Sequence, residues 1–145
     1  MATHEAVLDF RIPPQPHLSR VVRESVVDFA RTHGVGEDDL GHFLTALGEA
    51  IANAIEHAHA ERPIEIEVRI DVDRILATIR DNGIGFDSSR VVDRALPDHS
   101  AERGRGLPIM RRCCDIFNVS SEPGAGTAVV IGRYLRRSPD HEIVA

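Results

Sequence analysis

The sequence predicts a single α+β domain, and three observations carry that prediction. Ile64, Ile66, Val68, Ile70 and Val72 alternate strictly with Glu65, Glu67, Arg69 and Asp71, the period-two signature of a strand with one wet and one buried face. Two earlier stretches instead repeat their apolar residues at helical spacing. The 145 residues, 42% hydrophobic and 28% charged, contain no internal repeat and no linker that would split the chain. A chain of this length buries roughly two-thirds of its unfolded surface, so it folds without a staple.

The elements follow in order. Val7, Leu8 and Phe10 read as a short first strand, stopped by Pro13, Pro14 and Pro16. Leu18, Val21, Val22, Ser25, Val26 and Phe29 form one apolar stripe of a helix that His33-Gly34 ends. Glu37, Asp38 and Asp39 suit the dipole at the start of a second helix. Its buried stripe is Leu40, Phe43, Leu44, Leu47, Ile51 and Ile55, and Pro63 marks its end. After the alternating strand and a tight turn near Asp73, Ile75 to Arg80 is its antiparallel hairpin partner. The stretch from Ser88 to Arg103 is polar, irregular and long enough to be a functional loop. A helix from Leu107 to Cys114 carries Pro108 in its first turn, where a missing N–H costs little. Two strands, Phe117 to Ser121 and Thr127 to Leu135, close the domain at residues 1–137, and 138–145 read as a frayed tail.

Composition removes several functions. All 17 basic residues are arginine, so a P-loop lysine, a Schiff-base lysine and a kinase-type strand lysine are absent. A net charge of -6 argues against a nucleic-acid footprint, and zero Trp with one Tyr argues against a base-stacking surface. No apolar run approaches the ~20 residues of a membrane span, and Met1 to Phe10 lacks the basic n-region of a signal peptide. Cys113 and Cys114 are adjacent, cannot staple distant elements, and fit a reducing compartment. The expectation is a cytoplasmic protein.

Three clusters stand apart from packing. On the second helix Glu49 and Asn53 lie one turn apart, opposite the Leu40/Leu47/Ile51 stripe. An amphipathic helix has such a solvent face anyway, but Ala46, Ala50 and Ala52 flank the pair where a free surface usually carries charge. A carboxylate and a carboxamide at i, i+4 supply a general base and a hard-cation ligand. The second cluster, Asp81-Asn-Gly83-Ile-Gly85-Phe-Asp87, follows a strand directly; its glycines let the backbone turn sharply or approach a flat ligand. It is not a Rossmann fingerprint, because the third glycine and the immediate helix are missing. In the third, Gly104-Arg105-Gly106 opens a helix, where backbone N–H groups and the neighbouring Arg103 and Arg105 favour an anion.

The order of the pieces is more specific than any one of them. Glu49-Ala-Ile-Ala-Asn53-Ala-Ile-Glu-His57, Asp81-Asn-Gly-Ile-Gly85, Gly104-Arg-Gly106 and Gly124-Ala-Gly-Thr127 resemble the N, G1, G2 and G3 boxes of the GHKL (Bergerat) ATP-binding fold. Within it the chain looks like the small anti-sigma-factor serine kinases of bacteria, in its N-box wording, its free-standing chain and its short lid between Asp87 and Gly104. The resemblance implies a two-layer sandwich, a mixed and mainly antiparallel sheet packed on helices, and it implies ATP and Mg²⁺ as cofactors. By that similarity Asp81 accepts the adenine amino group, Gly83 and Gly85 let the backbone lie against the base, and Thr127 completes the adenine contacts. Asn53 ligates Mg²⁺, Glu49 is the general base toward the attacking hydroxyl, Gly104 and Gly106 cradle the phosphates, and Arg105 is a weaker candidate for the γ-phosphate.

The implied reaction is phosphorylation of a serine on a STAS-type anti-anti-sigma protein, by a homodimer that also sequesters a sigma factor. The first helix, with Arg20 and Arg23, is the expected partner surface. Two other classes compete: an ATP-gated binding module without phosphotransfer, and the catalytic domain of a histidine kinase. Retention of Glu49 favours the kinase over the first; the lack of a preceding His-bearing dimerisation helix disfavours the second. His57 and His59 at i, i+2 lie on different sides of a helix and complete no zinc set, so a structural role is expected for His57. Cys113 and Cys114 are expected in the core, and Arg136-Arg137 are too few to signal nucleic acid.

Overall fold

The computed structural model describes residues 5–58, 62–83 and 106–136. Five strands, β1 (Ala6–Ile12), β2 (Ile64–Ile70), β3 (Arg74–Asp81), β4 (Ile116–Glu122) and β5 (Gly126–Tyr134), form one sheet in the order β1-β2-β3-β5-β4. Every pairing among them is antiparallel. Three helices, α1 (Leu18–Thr32), α2 (Glu37–His57) and α3 (Gly106–Cys113), complete the described fold. Both α1 and α3 pack against α2, and α2 lies on β3 and β5.

Register explains why the helices cover only one face. Val68 pairs with Leu8 and Ala77, and Ala77 with Ile131 and so to Phe117; the next inward row runs Phe10, Ile66, Ile79, Val129, Val119. Those rows hold the buried aliphatic side chains that meet Leu40, Phe43, Leu47 and Ile51 of α2 in one core. The opposite face carries the alternate residues. There Arg69 pairs with Glu5 and Glu67, and a pocket lined by Asp9, Arg11, Glu65, Glu67, Thr78 and Arg80 is a quilt of opposite charges. The acidic alternation of β2 is thus part of a solvated face, as its pattern predicts.

Turn chemistry fits the connections. Asp71 Oδ1 accepts the N–H groups of Asp73 (2.8 Å) and Arg74 (2.9 Å), closing the β2–β3 hairpin with an aspartate-type turn. That turn takes in Val72, which is 48% exposed and lies outside the strand.

Val72 thus differs from the sequence reading, and so do two further assignments. Val21 is not part of the α1 stripe: it is 53% exposed, and the buried face runs Val22, Val26, Ala30. Helical spacing marks the stripe but not how wide an arc of α1 is buried.

Asp39 does more than complement the helix dipole. It is buried, as is Arg133 near the end of β5. Arg133 Nε and Nη2 donate to Asp39 Oδ1 at 3.2 and 3.0 Å, and Arg133 Nη1 donates to the Cys113 carbonyl at 2.9 Å. The Arg136 backbone N–H donates to Asp39 Oδ2 at 3.0 Å. One ion pair therefore ties the start of α2, the end of α3 and the end of β5, and each partner also bonds backbone.

The cysteines pack against the core from partly buried positions, as expected. Burial pushes the Cys114 thiol up to about 11, which leaves almost no thiolate at neutral pH and gives no support to a redox role.

Removing one partner of the Asp39–Arg133 pair strands the other charge without water. Asp39→Ala and Arg133→Ala are each expected to cost about 3–5 kcal/mol in urea denaturation. Their losses overlap, so the double substitution costs clearly less than the sum.

Candidate nucleotide site

β3 ends in a carboxylate where its own alternation calls for an apolar residue. Ile75, Ala77, Ile79 and Asp81 all point into the helix layer, and Asp81 is only 7% exposed. The Gly83 N–H donates to Asp81 Oδ1 at 2.8 Å, and the backbone N–H of Thr127, its cross-strand partner, also supports the carboxyl. These bonds and His57 pull its pKa down, but burial outweighs them, and the carboxyl lies above the usual carboxylate range. Among the described residues part of the acceptor capacity of this buried acid is open, at the end of the central strand, so it can accept a hydrogen bond from a ligand.

Two glycines make this geometry fit. A Cβ on Gly83 would lie 1.8 Å from the His57 carbonyl oxygen and 2.9 Å from Asp81 Oδ1, so the chain after β3 crosses the end of α2 at backbone contact. Gly126 has φ +82° and its Cβ would meet the Asp81 carbonyl oxygen at 2.3 Å. The His57 carbonyl forms the floor on which Gly83 sits.

Glu49 and Asn53 share α2 with that floor. Asn53 is one helical turn before His57, and Glu49 one turn before Asn53, about 6 Å per step along the axis. Both are half-buried, between fully buried Ala46 and Ala50 on one side and exposed Ala52 on the other. The small residues do mark a covered face at Ala46 and Ala50, though Ala52 is open. The donor chemistry suits Mg²⁺: a single amide oxygen beside a carboxylate matches an ion that keeps most of its waters and binds phosphates. Among the described residues no cluster of three or more His, Cys, Asp or Glu could form an all-protein cage.

The structure thus brings Asp81, Gly83 and Thr127 together and sets them at the end of the helix bearing Glu49 and Asn53. Gly106 is the first residue of α3, which packs on α2. Gly85, Gly104, Arg105 and the lid between Asp87 and Gly104 lie outside the described residues. Sequence reading missed Ser121. It lies opposite Thr127 on β4, buried, and its Oγ is 2.7 Å from Thr127 Oγ1. The available signal was a serine continuing the apolar alternation of Phe117 and Val119.

An α+β domain with an antiparallel sheet covered on one side, a buried aspartate closing an inner strand and glycine turns around it defines the GHKL class of ATP-binding domains. The chain belongs to the family described as histidine kinase-like ATPase domain, whose model matches residues 12–132. It is 30% identical over 145 aligned positions to the serine-protein kinase RsbW of Bacillus velezensis, covering 93% of this chain and 89% of that one. Among solved structures, the RsbU and RsbW domains of a Mycobacterium tuberculosis protein superpose with a TM-score of 0.69 at 17% identity, over 92% of this chain and 34% of that longer one. The SiaB–SiaC complex from Pseudomonas aeruginosa contains a chain matching at TM-score 0.65 and 10% identity, over 86% of this chain and 88% of that chain. These two likenesses show the fold. No helix among the described residues is long and apolar enough to cross a membrane.

Gly83→Ala is expected to lower thermal stability and nucleotide affinity together, since backbone must shift to admit the methyl group. Gly41→Ala on exposed α2 surface, where a Cβ meets nothing within 4 Å, is expected instead to stabilise by about 0.5–1 kcal/mol.

Asp81 generates a pH-dependent outcome. Its folded pKa is raised, so the native state holds its proton more tightly than the unfolded chain does. The stability this confers is full below the ordinary carboxylate pKa and is lost as pH rises through the raised one. Asp81→Asn keeps an oxygen for the Gly83 N–H and removes the titration. Its stability relative to wild type is expected to rise with pH across that window, measured by urea denaturation between about pH 3.5 and 7.5.

Proposed function

We propose that this chain is a Mg·ATP-dependent protein serine kinase that phosphorylates a STAS-type anti-anti-sigma protein and sequesters a sigma factor. The observation that carries the proposal is the joint placement of a buried, half-satisfied Asp81 and the Glu49/Asn53 pair at one end of α2. The first gives a nucleotide-recognition point. The second gives a metal ligand and a base, one and two turns before His57 along a rigid helix.

In this reading Asp81 accepts the adenine amino group, Gly83 and Gly85 admit the base against backbone, and Thr127 completes the contacts. Gly104 and Gly106 hold the phosphates through backbone N–H groups, with Arg105 near the γ-phosphate. Asn53 holds Mg²⁺, which neutralises charge on the phosphates when bound. Glu49 takes the proton from the serine hydroxyl as its oxygen attacks the γ-phosphorus, and ADP leaves. Similarity to RsbW kinases supports the substrate class, and the outward faces of α1, with Arg20 and Arg23, are the surface assigned to partners. The protein works as a cytoplasmic homodimer in this account.

The test is retention of partners from native lysate on the immobilised chain in Mg·ATP and in Mg·ADP, followed by phosphate analysis. A sigma factor held in ATP, and a STAS protein held in ADP that gains acid-stable phosphoserine, is the expected result. Glu49→Ala should retain Mg·ATP binding and lose transfer by at least about 100-fold. Retained proteins without phosphate would establish an ATP-gated binder instead, and acid-labile phosphohistidine would establish a histidine kinase domain.

A further inference from the structure

Helix α3 is too short to hold itself in place. It has eight residues, Gly106–Cys113, and isolated helices of fewer than about 12 residues are marginal in water. Its position therefore comes from what it touches. Met110 is fully buried, and the helix packs on α2. At its end the Cys113 carbonyl accepts from Arg133 Nη1 at 2.9 Å. Arg111 and Arg112 also lie in the last turn, but both are exposed, where water and salt screen their charge.

Arg133 is itself held. Its Nε and Nη2 lie on Asp39 Oδ1, in the first turn of α2, and both side chains are buried. A guanidinium is a rigid planar fork, so the edge that meets Asp39 dictates where the remaining nitrogen points. The chain just past α3 is clipped to the same strand: the Asp115 N–H donates to the Gly132 carbonyl, and the Tyr134 N–H to Asp115 Oδ2, each at 2.9 Å. One end of α3 is thus fixed to α2 and β5, and Gly106 stands at the other. Over about 12 Å of helix, a tilt of about 10° at the fixed end carries the other by about 2 Å. A binding site keeps its geometry only within about 0.5 Å.

We propose that Arg133 is a positioning residue for the phosphate grip: from the far end of α3, through the Cys113 carbonyl, it sets where Gly106 stands relative to α2. The inference rests on the nucleotide reading of the site and deepens it, by naming what aims the phosphate-holding end of α3. Base recognition is independent of it, since Thr127 and Arg133 stand near opposite ends of β5 and Asp81 lies beside Thr127. Without Arg133 the phosphate contribution to affinity falls and the base contribution stays. A grip correctly placed a tenth of the time binds about tenfold more weakly.

The test removes the pair without stranding a charge. Asp39→Leu combined with Arg133→Met substitutes apolar side chains of similar volume, an exchange that is often neutral or stabilising. Net charge is unchanged, so a loss of phosphate affinity is not a loss of long-range attraction. Mg·ADP and adenosine are titrated into the full chain, and amide exchange is followed on the ligand-free protein. Mg·ADP affinity should fall about tenfold while adenosine affinity stays within about twofold. Amides of α3 should exchange faster while those of β2 and β3 keep wild-type rates. Val26→Ala, which weakens the core under α1, is the control for general destabilisation and should leave both affinities at wild-type values. A melting curve identifies a double variant that has not folded. Arg133→Lys then takes its place, because lysine keeps a charge for Asp39 but has one nitrogen in place of the fork, and it should show the same selective loss.

A folded variant that binds Mg·ADP as wild type does overturns the proposal. So does one that loses Mg·ADP and adenosine equally, which is what a merely structural pair does, and so does unchanged amide exchange in α3. If wild type binds neither compound, the nucleotide reading itself fails and this inference with it. Wild-type binding of both, with a ratio that the variants do not move, sinks the inference alone.

Discussion

Everything in this domain depends on an antiparallel sheet that buries one face only. With period-two alternation, a shift of one residue would carry Ile66, Val68, Ile79 and Val129 out to solvent, so their burial sets the register of all five strands. Once that register is set, the polar residues at the strand ends have no choice of position. Asp81, Thr127 and Ser121 fall on one row at one end of the core, and Arg133 reaches Asp39 toward the other. Apolar packing thereby places both polar groups, and each is tolerated because hydrogen bonds support it there.

The two ends differ in how completely those bonds are used. Around Arg133 and Asp39, side-chain charges meet each other and the Cys113 and Arg136 backbone. The pair acts as a tie among α2, α3 and β5. Around Asp81 the supporting groups are backbone N–H donors, and burial still outweighs them, so the carboxyl is held above its usual range. Unspent acceptor capacity in a place this dry is a feature of recognition sites. Helix α2 joins the two ends, with its first turn in the tie and its last turn under Gly83.

Much of this was legible beforehand, for reasons that particular residues show. The strict alternation of β2 and the stripe of α2 are local patterns, so both elements are found close to where the pattern puts them. The candidate site was legible because its residue types are unusual for their positions: an aspartate ending an apolar strand, alanines beside Glu49 and Asn53, glycines in fixed order. Three features escaped. Val21 looked like part of the α1 stripe, but helical spacing says nothing of how wide an arc the neighbouring helix covers. Asp39 looked like a dipole charge, since its partner lies 94 residues away. Ser121 looked like an ordinary strand residue, because the hydroxyl it meets lies opposite it on another strand.

The sequence by itself determined the class of elements, their order, the existence of one core and the identity of the residues that carry the GHKL boxes. These follow from periodicity and residue chemistry, which are local. Only the tertiary structure decided which polar groups are buried and which of them meet. Those depend on cross-strand register and helix packing, which bring together residues far apart in the chain. Asp81 became a recognition point, and Asp39 a structural tie, through surroundings that neither residue's own segment encodes.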